Sequence, residues 1–120
     1  MSVRAIRGAT QISANTEHEI SQATKELLLE IMEANALKSE DLISVLLTAT
    51  PDLNAAFPAA AAREIGFESV PLLCAVEIDV PGALPRVIRT MVTVNTELPA
   101  SEISHIYQGG AKALRRDIAQ

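Results

Sequence analysis

Hydrophobic and polar positions alternate along the chain in two different periods. Residues 2–12 (SVRAIRGATQI) predict a first strand, with every second side chain on the same face. Between residues 17 and 34, apolar residues such as Ile20, Leu27 and Ile31 recur at helical spacing, and glutamates occupy much of the remainder. This second pattern predicts a surface helix that covers a sheet.

Local signals place the ends of two helices. Thr16 and Glu19 have the spacing of a capping box, in which each side chain bonds the other's backbone N–H. Pro58 predicts the start of a second, alanine-rich helix over residues 58–65, which Gly66 ends. A short helical turn is expected before it, over residues 52–56.

The remaining apolar runs predict four further strands. Residues 42–50 (LISVLLTAT) are almost all apolar or small, which is typical of a strand covered on both faces. Residues 70–80 and 86–96 read as strands separated by a Pro-Gly turn, and residues 103–107 as a short fifth strand. The glycine pair at 109–110 ends that strand.

The element order β-α-β-α-β-β-β predicts an α+β fold with a mixed five-stranded sheet and two main helices. A length of 120 residues predicts one domain, residues 1–120. Two helices leave one face of the sheet uncovered. Because an apolar face is unstable in water, we expect the chain to associate with copies of itself.

Composition excludes several classes of function. Fifteen acidic and ten basic residues give a net charge of -5, which argues against a nucleic-acid partner. The single Cys74 excludes an intrachain disulfide framework and favours the cytoplasm. The N-terminus lacks the apolar region of a signal peptide, and no apolar run reaches the roughly 20 residues of a membrane span.

Familiar catalytic motifs do not occur: the chain has no GxSxG, HExxH, Walker or GxGxxG sequence. The two histidines do not define a catalytic set. His18 falls in a first helical turn, where exposure is expected. His105 shares a predicted strand face with Tyr107, where it could line a pocket, although structural packing is the more common role.

The distribution of arginine is unusual. Arg7 and Arg89 lie inside predicted strands with apolar neighbours, Arg63 follows a run of alanines, and Arg115 follows the glycine pair. An arginine in an apolar strand normally has an anionic partner. Either Glu77 or Asp79 supplies it as an internal ion pair, or the arginines converge on a ligand with one or two carboxylates, which the guanidinium fork matches.

Several segments together resemble the Bacillus-type (AroH-class) monofunctional chorismate mutases over essentially the whole chain. They are, in order, IRGAT at 6–10, TPDL at 50–53, FPA at 57–59, Val70-Pro71, Cys74, Glu77, the Arg89 strand and HIY at 105–107. The resemblance implies a homotrimeric pseudo-α/β barrel with active sites between adjacent subunits. It also implies rearrangement of chorismate to prephenate without cofactor or metal.

The resemblance also implies roles for individual residues. Arg7 binds a substrate carboxylate, Arg89 reaches the ether oxygen of the breaking bond and a carboxylate, and Glu77 accepts a hydrogen bond from the ring hydroxyl. Tyr107 contacts the side-chain carboxylate, and Cys74 lies near the hydroxyl. The pocket is completed by four further side chains: Phe57, Leu114, Arg63 and Arg115.

Two positions, Cys74 and Ala60, do not fit these roles directly. Cys74 and Glu77 are three residues apart, so an ideal strand puts their side chains on opposite faces. We therefore expect Cys74 to contribute its backbone. Family members can carry a lysine where this chain has Ala60, so a cation of that kind is missing here.

Two alternatives share this architecture. Rid-type imine deaminases are small trimers that also place an arginine in an intersubunit cleft, but they need neither Glu77 opposite Arg89 nor the TPDL and FPA segments. A trimer that binds a small molecule without catalysis is the second alternative.

Overall fold

A computed structural model describes residues 1–115 of the protein. It contains one five-stranded sheet in the order β3-β2-β4-β1-β5. The strands are β1 (Ser2–Gln11), β2 (Leu42–Ala49), β3 (Leu72–Val76), β4 (Val87–Thr96) and β5 (Ile106–Gln108). Strand β4 runs antiparallel to β1 and β2, while β3 is parallel to β2 and β5 is parallel to β1. The predicted mixed five-stranded sheet is confirmed.

The two predicted helices are present, with α1 at Glu17–Ala34 and α2 at Pro58–Glu64. Three short 3-10 helices accompany them: η1 (Ser39–Asp41), η2 (Ala100–Glu102) and η3 (Gly109–Leu114). Gly66 follows α2 with a φ of 100°, a left-handed conformation that glycine adopts without steric cost. Within residues 1–115, no helix combines the length and apolarity that a membrane span requires.

The main core lies between the sheet and the helices. Ile6, Leu47 and Val92 of the sheet pack with Leu27 and Ile31 of α1, and all five are at most 1% exposed. Gly8 allows this close approach, because a Cβ added there would lie 2.7 Å from Cδ1 of Ile31. The helix therefore lies directly on β1, the strand that carries Arg7.

Three expected elements differ from the structure, two of them because other groups take their backbone hydrogen bonds. Residues 52–56 form no helix, since Asn15 Oδ1 accepts the N–H groups of Asn54 and Ala55 at 3.0 Å. Strand β3 ends at Val76 because its partner β2 ends at Ala49.

The fifth strand begins at Ile106 instead of residue 103, because Ser104 bonds to Asn35 at the end of α1. The capping box at the start of α1 is half formed. Thr16 accepts the N–H of Glu19, but the Glu19 carboxylate bonds Ser13 instead of returning to Thr16.

The two main helices pack on one side of the sheet and leave much of the other open. On that open face Leu46 of β2 is 39% exposed, Met91 of β4 42% and Leu73 of β3 66%. Helix η3 covers only the part over β1 and β5, where Ala9, Tyr107 and Ala111 form a small cluster. This open face matches the expectation that two helices cannot cover the sheet.

Candidate active site

The open face contains a groove of about 260 Å³, which we call the arginine groove. Its polar lining residues are Arg7, Thr48, Glu77, Arg89, Thr90, Tyr107 and Arg115. Five of these seven were singled out from the sequence. The structure thus brings most of the expected charged site residues to one place within a single chain.

Strand register explains why they meet. Arg89 of β4 lies between Ala9 of β1 and Thr48 of β2, and Ala9 also pairs with Tyr107 of β5. Paired residues on neighbouring strands point to the same face, and Arg7 lies two residues before Ala9 on that face. The alternation of β1, visible in the sequence, therefore places Arg7 on the side away from α1.

Glu77 faces Arg89 across the groove. Arg89 Nε lies 3.8 Å from Glu77 Oε1, too far for a hydrogen bond. The same oxygen accepts a 2.6 Å hydrogen bond from Thr48 Oγ1. The internal ion-pair alternative is thus present only as a loose contact, with the carboxylate oriented by a neighbouring hydroxyl.

The charge of the groove is strongly positive although the whole chain is acidic. Among the described lining residues, three are arginines, Arg7, Arg89 and Arg115, and one is a glutamate. The ion pairs found within residues 1–115 are Arg89–Glu77 and Lys25–Glu64, and neither involves Arg7. The groove is therefore complementary to a small dianion.

Tyr107 and Arg115, which precede and follow helix η3 in the chain, both line the groove. Tyr107 is 5% exposed and packs with Ala9 and Ala111, while Leu114 packs at the margin of this cluster. The tyrosine is thereby fixed beside the arginines.

His105 lies next to the groove without lining it. Its Nδ1 accepts the backbone N–H of Arg7 at 2.9 Å. Burial lowers the pKa of the imidazole below its usual 6.5, and the positive charges of Arg7 and Arg115 lower it further. Nδ1 is thus kept unprotonated, as an acceptor must be.

A second groove lies between α1, α2 and the edge strand β3, and we call it the α2 groove. Phe57, Ala60 and Cys74 line it, and Phe57 is 74% exposed. Arg63 is also exposed on α2 but lines neither groove. The expected site residues are therefore divided between two surfaces of one chain.

The pleat of β3 explains this division. Cys74 pairs with Leu47 and packs against the helix-side core, whereas Glu77, three residues on, lines the arginine groove. The side chains of Cys74 and Glu77 thus lie on opposite faces, as the spacing predicted. Whether the Cys74 backbone takes part in binding stays a prediction.

The TPD segment (residues 50–52) connects the loop before α2, which borders the α2 groove, to the start of β4, which carries Arg89. Asp52 accepts the backbone N–H of Arg86, whose φ of 53° marks the sharp entry into β4. Thr50 Oγ1 donates to the Asp52 carboxylate and accepts the N–H of Val87 at 3.0 Å. These bonds connect the loop before α2 to the start of the strand that carries Arg89.

Thr48 is the site residue that the sequence analysis missed. It is the last polar residue but one in an almost wholly apolar run, and nothing in that run marks it as a partner of Glu77. The available signal was its spacing, since it shares the open face with Leu46 two residues earlier.

Fold and groove together define a class: a small mixed-sheet protein with helices on one face and a cationic groove for a dianion on the other. The family described as "Chorismate mutase type I" matches residues 3–118. The chain belongs to this family, which confirms the chorismate mutase resemblance and the isomerase class that it implied.

Individual relatives agree. The chain is 48% identical to "Chorismate mutase AroH" of Bacillus subtilis over 120 residues, 99% of this chain and 94% of that protein. It is 50% identical to the Thermus thermophilus protein of the same name, over 97% of this chain and 96% of that one. A solved chorismate mutase from Clostridium thermocellum superposes with a TM-score of 0.90 at 51% identity, covering 92% of this chain and 98% of that one.

Proposed function

We propose that the arginine groove binds chorismate and promotes its [3,3] rearrangement to prephenate by electrostatic stabilisation and conformational restriction. The observation that supports this most directly is that three arginines line the groove and Glu77 is the one acidic residue among its described lining residues. Chorismate carries two carboxylates, so its charge complements the groove. The family match favours this activity over an imine deaminase or a non-catalytic trimer.

The reaction breaks one C–O bond and forms one C–C bond within a single molecule. It needs no nucleophile and no proton transfer, so the groove can act through charge and shape alone. In the transition state, negative charge develops on the ether oxygen and positive charge on the ring fragment. A donor fixed at that oxygen binds the transition state more strongly than the ground state, which is the condition for catalysis.

Arg89 is the proposed donor to the ether oxygen. Its side chain is 45% exposed, and its Nε is not hydrogen-bonded to Glu77, so the guanidinium can turn its donors to a ligand. By comparison with a preorganised oxyanion donor, it would supply about 3–4 kcal/mol, on the order of 10²–10³ in rate. Glu77, oriented by Thr48, would accept a hydrogen bond from the ring hydroxyl and face the positive ring fragment.

The substrate must also be held with its side chain folded over the ring. Arg7 and Tyr107 would bind the carboxylates, with Arg115 adding charge. Leu114, which packs against the Tyr107 cluster without lining the groove, would add an apolar contact. Restricting the substrate to its reactive conformer contributes several kcal/mol in comparable cases.

The α2 groove would complete the site from an adjacent subunit of a homotrimer. Phe57 is largely exposed, and the apolar side chains of the open face and of edge strand β3 lack cover within residues 1–115. In this arrangement, the α2 groove and Arg63 of one subunit pack against the arginine groove of the next. Such packing would cover Phe57 as well as the apolar side chains of the open face. Single-domain organisation over 1–120 and a cytoplasmic location, without nucleic-acid or membrane partners, stay predictions.

A mixed-subunit experiment tests the shared site. Arg89→Ala removes the proposed donor, and Phe57→Asp places a negative charge in the α2 groove of an otherwise intact subunit. We expect each homogeneous variant to be nearly inactive in a chorismate-consumption assay. Trimers assembled from both variants should regain about one quarter of the sites, because those sites take an intact half from each subunit.

The control for this experiment is a mixture of Arg89→Ala with Glu77→Ala. Both changes lie in the arginine groove, so no combination of subunits contains an intact arginine groove. If the first mixture is no more active than this control, the site does not combine the two grooves. Size-exclusion chromatography of each sample checks the assembly itself.

A further inference from the structure

The backbone hydrogen-bonding pattern changes where β1 meets β5. The parallel pairing of the two strands begins at Gly8 and Ile106. One residue earlier in β1, the partner of the Arg7 N–H is a side chain instead of a backbone carbonyl. This N–H donates to His105 Nδ1 at 2.9 Å. The imidazole thus extends the hydrogen bonding of β1 to the residue that points its guanidinium into the arginine groove.

The support of His105 is rigid. Asn35, only 2% exposed at the end of α1, accepts the N–H of Ser104 at 2.8 Å and donates to the Ser104 carbonyl at 3.0 Å. Its Nδ2 also bonds the Ile31 carbonyl at 2.9 Å. The residue immediately before His105 is therefore fixed to the buried helix, and the imidazole has a defined position.

The charges around the imidazole favour its neutral form. Arg7 comes from β1 and Arg115 follows η3, and both lower the pKa of His105 in addition to the effect of burial. From α1, the Glu30 carboxylate is engaged by Gln108 Nε2 at 2.8 Å. Near neutral pH, His105 therefore presents an unprotonated Nδ1 to the Arg7 N–H.

We propose that His105 is a positioning residue for Arg7: its unprotonated Nδ1 holds the β1 backbone so that the Arg7 guanidinium stays aligned in the arginine groove. The inference rests on the proposed role of Arg7 as a carboxylate ligand. His105 does not line the groove, so it acts through Arg7 and not on the substrate. Protonation of His105 makes both ring nitrogens donors and removes the acceptor.

Two substitutions separate the acceptor from the rest of the side chain. The Oδ1 atom of Asn is bonded to Cγ, as Nδ1 is in histidine, so His105→Asn keeps an acceptor for the Arg7 N–H. His105→Leu removes it. We expect KM for chorismate to rise about tenfold in His105→Leu, equivalent to about 1.4 kcal/mol. In His105→Asn it should stay within about twofold of the starting protein, a shift of about 0.4 kcal/mol, with kcat little changed in both.

The pH profile supplies a readout that a purely structural role would not produce. In the unsubstituted protein, KM should rise as the pH falls below 6.5 through the lowered pKa of His105. In His105→Asn and His105→Leu this rise should be absent. His18→Asn, which removes the other histidine, should keep it.

Other outcomes would overturn the inference. A KM that falls on acidification would mean that the imidazolium binds the substrate directly. Equal KM values in the Asn and Leu variants, with thermal unfolding unchanged, would mean that the Nδ1 bond has no role. If His105→Leu does not fold, the pH profiles of the unsubstituted protein and His105→Asn still decide the question.

Arg7→Ala distinguishes failure of this inference from failure of the proposed function. An unchanged KM in Arg7→Ala would remove Arg7 from substrate binding and the inference with it. A raised KM in Arg7→Ala with a normal KM in His105→Leu would leave the proposed function standing and overturn the role of His105 alone.

Discussion

The two faces of the sheet differ in almost every physical respect. On the helix side, Gly8, Leu27 and Ile31 pack with no room for an added methyl group. On the open side, Arg7 and Arg89 are exposed, and Glu77 lies near Arg89 without a direct hydrogen bond. One face is close-packed and apolar, whereas the other combines a cationic groove with exposed apolar side chains and is loosely contacted.

This difference indicates how one short chain separates folding from chemistry. Because neighbouring residues of a strand point to opposite faces, Arg7 and Gly8 meet entirely different demands one position apart. Substitutions on the helix side should therefore act on the free energy of unfolding. Substitutions of the groove side chains on the open side should act on the kinetics instead.

Arg89→Lys is expected to have the largest effect. Lysine keeps the charge but lacks the planar fork, so kcat should fall by about 10²–10³ while the midpoint of thermal unfolding stays unchanged. Arg4→Lys is the matched control, since Arg4 bonds the Leu98 carbonyl and does not line the groove. Near-normal kcat in Arg89→Lys would remove Arg89 from the central role.

Gly8→Ala should show the reverse behaviour. The new Cβ would lie 2.7 Å from Cδ1 of Ile31 and 3.2 Å from Cδ1 of Leu27. Overpacking of this kind costs about 1–3 kcal/mol, so denaturant unfolding should shift to lower midpoints while kcat of the folded protein changes less. Ala5→Ser, on the exposed face of β1, should stay within about 0.5 kcal/mol, and an equal loss there would contradict the division between faces.

Thr48→Val tests the orientation of Glu77. The 2.6 Å hydrogen bond is lost with almost no change in side-chain shape, so kcat/KM should fall about tenfold at unchanged stability. Thr93→Val, also on the open side of β4, serves as the control. Equal kinetics for the two valine variants would show that Glu77 needs no help from Thr48.

Cys74→Ser should have the smallest effect. The side chain packs on the helix side of β3, away from Glu77, so kcat/KM should change less than about fivefold. A loss comparable to that of Arg89→Lys would show that the sulfur of Cys74 contacts the reacting molecule from the α2 groove of another subunit.

Much of the fold was predictable because it depends on local patterns. Strands β1 and β4 and both helices begin and end within about two residues of their expected limits, since period and capping define them. The errors lie where distant groups compete for the backbone. Asn15 prevents the helical turn at 52–56, and Asn35 shortens the fifth strand, and neither effect is visible in local sequence.

The residues of the candidate site likewise fall into those that the sequence made predictable and those that it did not. Arg7, Glu77 and Arg89 were recognisable because charged residues in apolar strands are unusual, and strand register then brings them together. Thr48 was missed because threonine is common in strands and carries no such signal. The separation of Phe57 from the arginines could not be deduced, because it depends on which face of edge strand β3 each groove occupies.

The long contact between Arg89 and Glu77 has a consequence for protein engineering. A substitution that drew the pair into a short, bidentate salt bridge would use the guanidinium donors within the chain. Such a variant would lose activity for a gain in stability of about 1 kcal/mol or less, because both side chains are partly exposed. Selection for heat tolerance alone would therefore act against the long contact, whereas selection for turnover would preserve it.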